Sequence, residues 1–76
     1  MQIQGKTIAI TGAGRGIGRA MAVAFAARGG NLALIDLNQA DLDEAKKLCD
    51  AEGGAARTYV CNVTNEEQVT ATMDAI

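Results

Sequence analysis

The 76 residues contain no histidine, serine, proline or tryptophan, and one phenylalanine and one tyrosine are the only aromatics. Without serine or histidine, neither a Ser-His nor a Cys-His nucleophilic pair can be assembled from this chain. The two cysteines, Cys49 and Cys61, stand twelve positions apart, which matches no CxxC or zinc spacing. They are expected to be reduced thiols rather than a disulfide. Basic residues are few: 7 Lys and Arg against 9 Asp and Glu give a net charge of −2 and a pI near 4.8. That balance argues against a nucleic-acid or anionic-membrane surface, which needs clustered cations. The longest uncharged apolar stretch, Ala20 to Ala27, is eight residues, far short of the ~20 needed to span a bilayer. The opening Met1-Gln2-Ile3-Gln4-Gly5-Lys6 has no apolar signal core, and a cytoplasmic protein is expected. Length permits one small domain or a piece of one, since domains run to roughly 100–150 residues.

What is present is an alternation of short apolar runs with longer helical stretches. Thr7-Ile8-Ala9-Ile10-Thr11 is continuous and rich in β-branched residues, as expected of a strand covered on both faces. From Gly16 to Arg28, Ile17, Ala20, Met21, Ala24 and Phe25 recur at helical spacing and are expected to face inward. Gly29-Gly30 stops this helix, and Leu32-Ala33-Leu34-Ile35 forms a second buried strand ending at Asp36. Asn38 is placed to cap a second helix with Leu42, Ala45, Leu48 and Cys49 inward and its acids on a solvated face. Gly53-Gly54 ends that helix. Thr58-Tyr59-Val60-Cys61 is expected as the third strand, with Tyr59 packed in the core. Thr64-Asn65-Glu66-Glu67 reads as a capping box for a third helix that faces inward through Val69, Met73 and Ile76. The order β-α-β-α-β-α, with strands about 25 residues apart, predicts parallel neighbours joined by right-handed crossovers. The fold class is therefore α/β, a Rossmann-like doubly wound parallel sheet of which only the N-terminal βαβαβα half is present.

Between the first strand and the first helix lies Thr11-Gly12-Ala13-Gly14-Arg15-Gly16-Ile17-Gly18. It fits neither G-x-G-x-x-G nor the Walker A pattern, but it does fit Gly12-x-x-x-Gly16-x-Gly18, a slightly longer loop. Glycine there permits the φ values of a tight turn. A missing Cβ lets backbone approach a pyrophosphate, and the helix N-terminus offers free N–H groups and about half a positive charge. The loop follows a buried strand, opens a helix and precedes an acid at the end of the next strand, which is the context a dinucleotide site requires. Asp36, eighteen residues beyond Gly18, is placed to accept from ribose hydroxyls. A 2′-phosphate roughly 4 Å from its carboxylate would cost about 4 kcal/mol per unit charge at an effective dielectric near 20, so NAD is expected over NADP. Arg15 could offset part of that repulsion, which keeps NADP as the alternative. Asn62, at the end of the third strand, is a candidate for an adenine edge.

These residues resemble the N-terminal cofactor-binding part of the short-chain dehydrogenase/reductase family. Thr11 to Gly18 matches its TGxxxGxG loop, Asp36 its coenzyme-choosing acid, and Cys61-Asn62-Val63-Thr64 stands where the family often has Asp-Val-Thr. The resemblance covers essentially the whole chain. Its opening, Gly5 to Gly12, looks most like the 3-oxoacyl-acyl-carrier-protein reductases of fatty acid biosynthesis. The resemblance implies that Gly12, Arg15, Gly16, Ile17 and Gly18 hold the pyrophosphate and nearby ribose. Asp36 and Leu37 would then serve the adenosine ribose and adenine, and Asn62 and Val63 the adenine. It also implies hydride transfer between nicotinamide and a small alcohol or carbonyl substrate, and often a homo-tetramer. The family's catalytic Ser and Tyr-x-x-x-Lys have no counterpart in these residues. Residues 1–76 are thus expected to be the N-terminal part of a single NAD(P)-binding domain from a longer enzyme. Two other readings stand beside it: a non-catalytic dinucleotide-binding module, and an S-adenosylmethionine methyltransferase fold, which also uses a glycine loop and an acid.

Overall fold

The computed structural model describes residues 3–76; Met1 and Gln2, the first positions of the segment read for a signal core, lie outside the described residues. Three strands alternate with three helices: β1 (Thr7–Thr11), α1 (Gly16–Ala27), β2 (Asn31–Asp36), α2 (Gln39–Ala51), β3 (Ala55–Val60) and α3 (Glu66–Ala75). The strands form one parallel sheet ordered β1-β2-β3. Thr11 pairs with Ile35, and Asp36 with Val60, so the carboxyl ends of all three strands share one rim. This is the parallel half-sheet that the αβ rhythm predicts.

Period-two alternation divides the sheet into two faces. Ile10, Leu32, Leu34 and Ala56 meet Ala22, Ala26, Leu42, Ala45 and Cys49 in one core beneath α1 and α2. On the opposite face, Val69, Thr72 and Met73 of α3 line a small cavity with Thr11, Ile35, Cys61 and Val63, but no residue of α3 is buried, and Met73 and Ile76, expected to face inward, are 51% and 41% exposed. β2 is buried on both faces from Leu32 to Ile35, as expected. β1 is not: Ile10 is buried, but Thr7, Ala9 and Thr11 are exposed. α1 and α2 lie over the face that carries Ile10, and the opposite face carries the small and hydroxylated residues Thr7, Ala9 and Thr11.

Four further expectations are corrected. In α1 the inward residues are Ala22 and Ala26, with Val23 and Phe25 packed beside them; Ile17 is 81% exposed and Met21 45%. The helix is apolar on nearly every side, so its sequence offered two candidate stripes, and the stripe of small residues lies on the core because it allows closer approach. β3 begins at Ala55 rather than Thr58, because pairing of Ala55 and Ala56 with Asn31 and Leu32 overrides their low strand preference. Tyr59 is only half-buried and lines a groove on the α3 side with Thr7, Ala33 and Arg57. The cap of α3 is Asn65, not Thr64: its Oδ1 accepts from the Gln68 N–H at 3.1 Å. The reciprocal half of a capping box is not made, because the Asn65 N–H donates to the Asn62 carbonyl at 2.9 Å while Gln68 Oε1 accepts from the Asn62 N–H at 2.8 Å.

Candidate functional site

The bend after β1 is built by backbone that only glycine adopts without strain. Gly12 has φ +67° and Gly16 φ +59°, the left-handed region that costs other residues roughly 1–2 kcal/mol. Beyond the adjoining chain, no heavy atom lies within 4 Å of where a Cβ would stand at either position, so the bend is open on that side. The Ala13 N–H donates to the Ile35 carbonyl at 3.1 Å, fastening the bend to β2. A Cβ at Gly18 would instead meet the Gly12 carbonyl and the Ala13 Cα; its absence lets the first turn of α1 rest on the bend.

α1 starts without a cap. Arg15 occupies the cap position in extended conformation, φ −148° and ψ 169°, with no side-chain hydrogen bond and no acid in the first turn. In α2 and α3, by contrast, Asn38 and Asn65 accept from the N–H groups of Asp41 and Gln68. The first N–H groups of a helix have no intrahelical acceptor, and the helix dipole adds about half a positive charge. Open space and uncompensated donors at one place are what an anionic group needs.

Asp36 closes β2 beside this bend. Its Oδ2 accepts from the Gly14 N–H at 2.9 Å and its Oδ1 from the Leu37 N–H at 2.7 Å. A Cβ on Gly14 would lie 2.7 Å from that Oδ2, so this glycine makes room for the carboxylate. A carboxylate has about four acceptor sites; two are used here, and the group is held in place with acceptor capacity remaining. Arg15 Nε lies 3.4 Å from Asp41 Oδ2, so one acid of α2 leaves the solvated face assigned to it. Arg19 Nε donates to the Gly14 carbonyl at 2.8 Å.

The Cys61 N–H donates to the Asp36 carbonyl at 2.9 Å, bringing the end of β3 beside the acid. Asn62 Oδ1 accepts from the Thr64 N–H at 3.0 Å and from Thr64 Oγ1 at 2.6 Å, an Asx turn that leaves its NH2 end free for an outside partner. Leu37 follows Asp36 at the end of β2 and Val63 follows Asn62 in the turn after β3; they are 63% and 55% exposed. The bend, Asp36 and Arg15 with its acid form one bonded group, joined to Asn62 and Val63 through the β2–β3 rim; Ile17 points outward from α1. Gly14, Arg19 and Asp41 were not among the residues assigned from the sequence. The Gly14–Asp36 contact spans 22 positions, and no sequence period signals it.

The thiols lie apart from this chemistry. Cys49 and Cys61 are buried and free. Burial, with a smaller push from Asp50 and an opposing pull from Lys46, raises the Cys49 pKa. No cluster of metal-ligating side chains occurs among the described residues.

The family model for short chain dehydrogenases matches residues 6–76. The chain is 35% identical over 75 residues to D-threitol dehydrogenase of Mycolicibacterium smegmatis, covering 99% of this chain and 29% of that protein. It is 36% identical over 69 residues to the 3-oxoacyl-(acyl-carrier-protein) reductase of Thermotoga maritima, covering 91% of this chain and 28% of that protein. The crystal structure of NAD+-bound xylitol dehydrogenase superposes with a TM-score of 0.94 at 41% identity, covering 99% of this chain and 29% of that one. The chain thus spans less than a third of the length of these relatives. With the family model matched from residue 6 to residue 76 and a parallel β1-β2-β3 sheet that superposes on a solved dehydrogenase, the chain belongs to the short-chain dehydrogenase family.

Proposed function

We propose that this chain holds the adenosine diphosphate portion of NAD(H) in an oxidoreductase that interconverts an alcohol and a carbonyl compound. The observation that carries the reading is the open bend at Gly12 and Gly16 over an uncapped helix N-terminus. The residues fit the coenzyme: Gly12, Gly16 and Gly18 leave backbone for the diphosphate, with Arg15 and Ile17 flanking it. Asp36, with acceptor sites unused, takes the adenosine ribose, and Leu37, Asn62 and Val63 flank the adenine. NAD supplies hydride-accepting and hydride-donating chemistry at its nicotinamide. What the residues of this chain do is bind and orient; no side chain among them is placed to move the proton. The xylitol dehydrogenase neighbour is NAD+-bound, which agrees with Asp36 in favouring NAD over NADP. Relatives bearing polyol dehydrogenase and acyl-carrier-protein reductase names match similarly well, so the substrate is assigned only as an alcohol or carbonyl compound. The fatty-acid reductase assignment is one member of that class. A cytoplasmic location fits the two free thiols, and the tetramer implied by the family resemblance belongs to the same proposal.

The test is titration of the full-length protein and its Gly16→Val variant with NADH. The parent is expected to bind and the variant to lose at least about a hundredfold in affinity, since a Cβ-bearing branched residue both strains φ and fills the open side. Equal affinity in the two proteins contradicts the reading. Binding without turnover of any alcohol or ketone would favour the non-catalytic module, and binding of S-adenosylmethionine in place of NADH would favour the methyltransferase.

A further inference from the structure

We propose that Asp41 is a positioning residue for coenzyme choice: it pairs with the Arg15 guanidinium and so competes for it with a 2′-phosphate. The inference rests on the reading of the bend as a dinucleotide site. An acid at the end of β2 disfavours NADP, whereas a nearby arginine favours it. This chain has both, and the question is which one the coenzyme meets.

The geometry answers through Asp41. Its Oδ2 lies 3.4 Å from Arg15 Nε, and the two side chains are unequal: Arg15 is 80% exposed and Asp41 28%. Asp41 is the anchored partner. Its N–H donates to Asn38 Oδ1 at 3.0 Å, and it lies against Gly14, where an added Cβ would stand 2.8 Å from Asp41 Cβ and 2.7 Å from Asp36 Oδ2. Gly14 therefore lies beneath both aspartates, and Asp41 stands next to the group that faces the ribose. Arg15, exposed and on a flexible stem, is the partner that swings. Without the Asp41 charge, Arg15 Nε loses its partner and the guanidinium is released to pair bidentately with a phosphate. An exposed ion pair contributes little to folding stability, so the pair matters here through selectivity between two coenzymes rather than through stability.

The test uses the full-length protein at low salt, titrated with NADH and NADPH, and with 5′-AMP and adenosine 2′,5′-bisphosphate to isolate the 2′-phosphate. Asp41→Asn is expected to shift the ratio of the two dissociation constants about tenfold toward NADPH. Asp41→Glu, which keeps the charge, should stay within about threefold of the parent ratio, and added salt should shrink the Asn effect. In an Arg15→Gln background the same Asp41→Asn change should move the ratio less than about threefold, because the agent is gone. Arg15→Gln alone should also move it less than about threefold; this single variant carries the test should Asp41→Asn fail to fold. The inference is overturned if Asp41→Asn leaves the ratio unmoved. It is also overturned if the tenfold shift persists without Arg15, or if Arg15→Gln alone costs NADPH tenfold. A parent protein that binds NADH with an unmoved ratio sinks the role of Asp41 alone; a parent that binds neither dinucleotide sinks the reading beneath it as well.

Discussion

At the scale of the residue, the proposed coenzyme choice rests first on Asp36. Both its oxygens are tied to backbone N–H groups, at Gly14 and Leu37, so the carboxylate cannot rotate away from an approaching anion. Asp36→Ala in the full-length protein should narrow the preference for NAD over NADP by about tenfold or more; an unchanged preference in paired titrations would remove Asp36 from coenzyme choice. Gly18→Ala tests a different role. Its new Cβ would press on the Gly12 carbonyl, and overpacking of this kind should lower unfolding free energy by about 1–3 kcal/mol in a denaturant melt; no loss would mean that the helix does not rest on the bend. Cys49 gives a pH signature. Burial holds its thiol protonated beyond its ordinary value of 9.0. The unfolded chain ionises near that value, so the stabilisation is fully present below pH 9.0 and is lost as pH rises above it. Cys49→Ala should flatten this alkaline decline in stability; an equally steep decline in the variant would assign it to other groups.

At the scale of the element, the end of β3 separates two caps that look alike in sequence. Asn65→Ala should lower stability by about 1 kcal/mol, while Thr64→Ala, which removes one exposed bond to Asn62, should lower it by less than about 0.5 kcal/mol. The reverse order in thermal melts would restore Thr64 as the cap. Thr64 and Asn65 are both good caps and adjacent, so composition alone could not rank them; the turn made by the Asn62 carbonyl does. The facing of α1 was hidden for a related reason. A helix apolar nearly all round has no unique stripe, and only contact with the sheet selects Ala22 and Ala26. By contrast α2 has charges on one side, and three of its four expected inward residues, Leu42, Ala45 and Cys49, are buried. β2 was legible because Leu32 to Ile35 is an unbroken apolar run between polar ends, whereas the start of β3 is two alanines whose strand state comes from their partners.

At the scale of the whole molecule, the alternation of elements and the parallel order were readable because each glycine pair or polar cap falls where the period changes. The bend and Asp36 were readable because a glycine pattern and an acid keep fixed places relative to two strands. The contacts of Gly14 with Asp36 and of Asp41 with Arg15 were not, because they join residues far apart in the chain and no local pattern encodes them. β1 lies at one edge of the sheet with Thr7, Ala9 and Thr11 exposed. An unpaired parallel edge of this sort invites pairing, so the 76 residues expressed alone should elute as higher-order species in size-exclusion chromatography; a stable monomer would show that the edge is tolerated. The most direct measurement of the central claim is a crystal structure of the full-length protein grown with NADH. The account predicts the diphosphate over Gly12 and Gly16, accepting from N–H groups in the first turn of α1, with the adenosine ribose on Asp36. A diphosphate lodged elsewhere, with that bend in contact with solvent or another side chain, would contradict it.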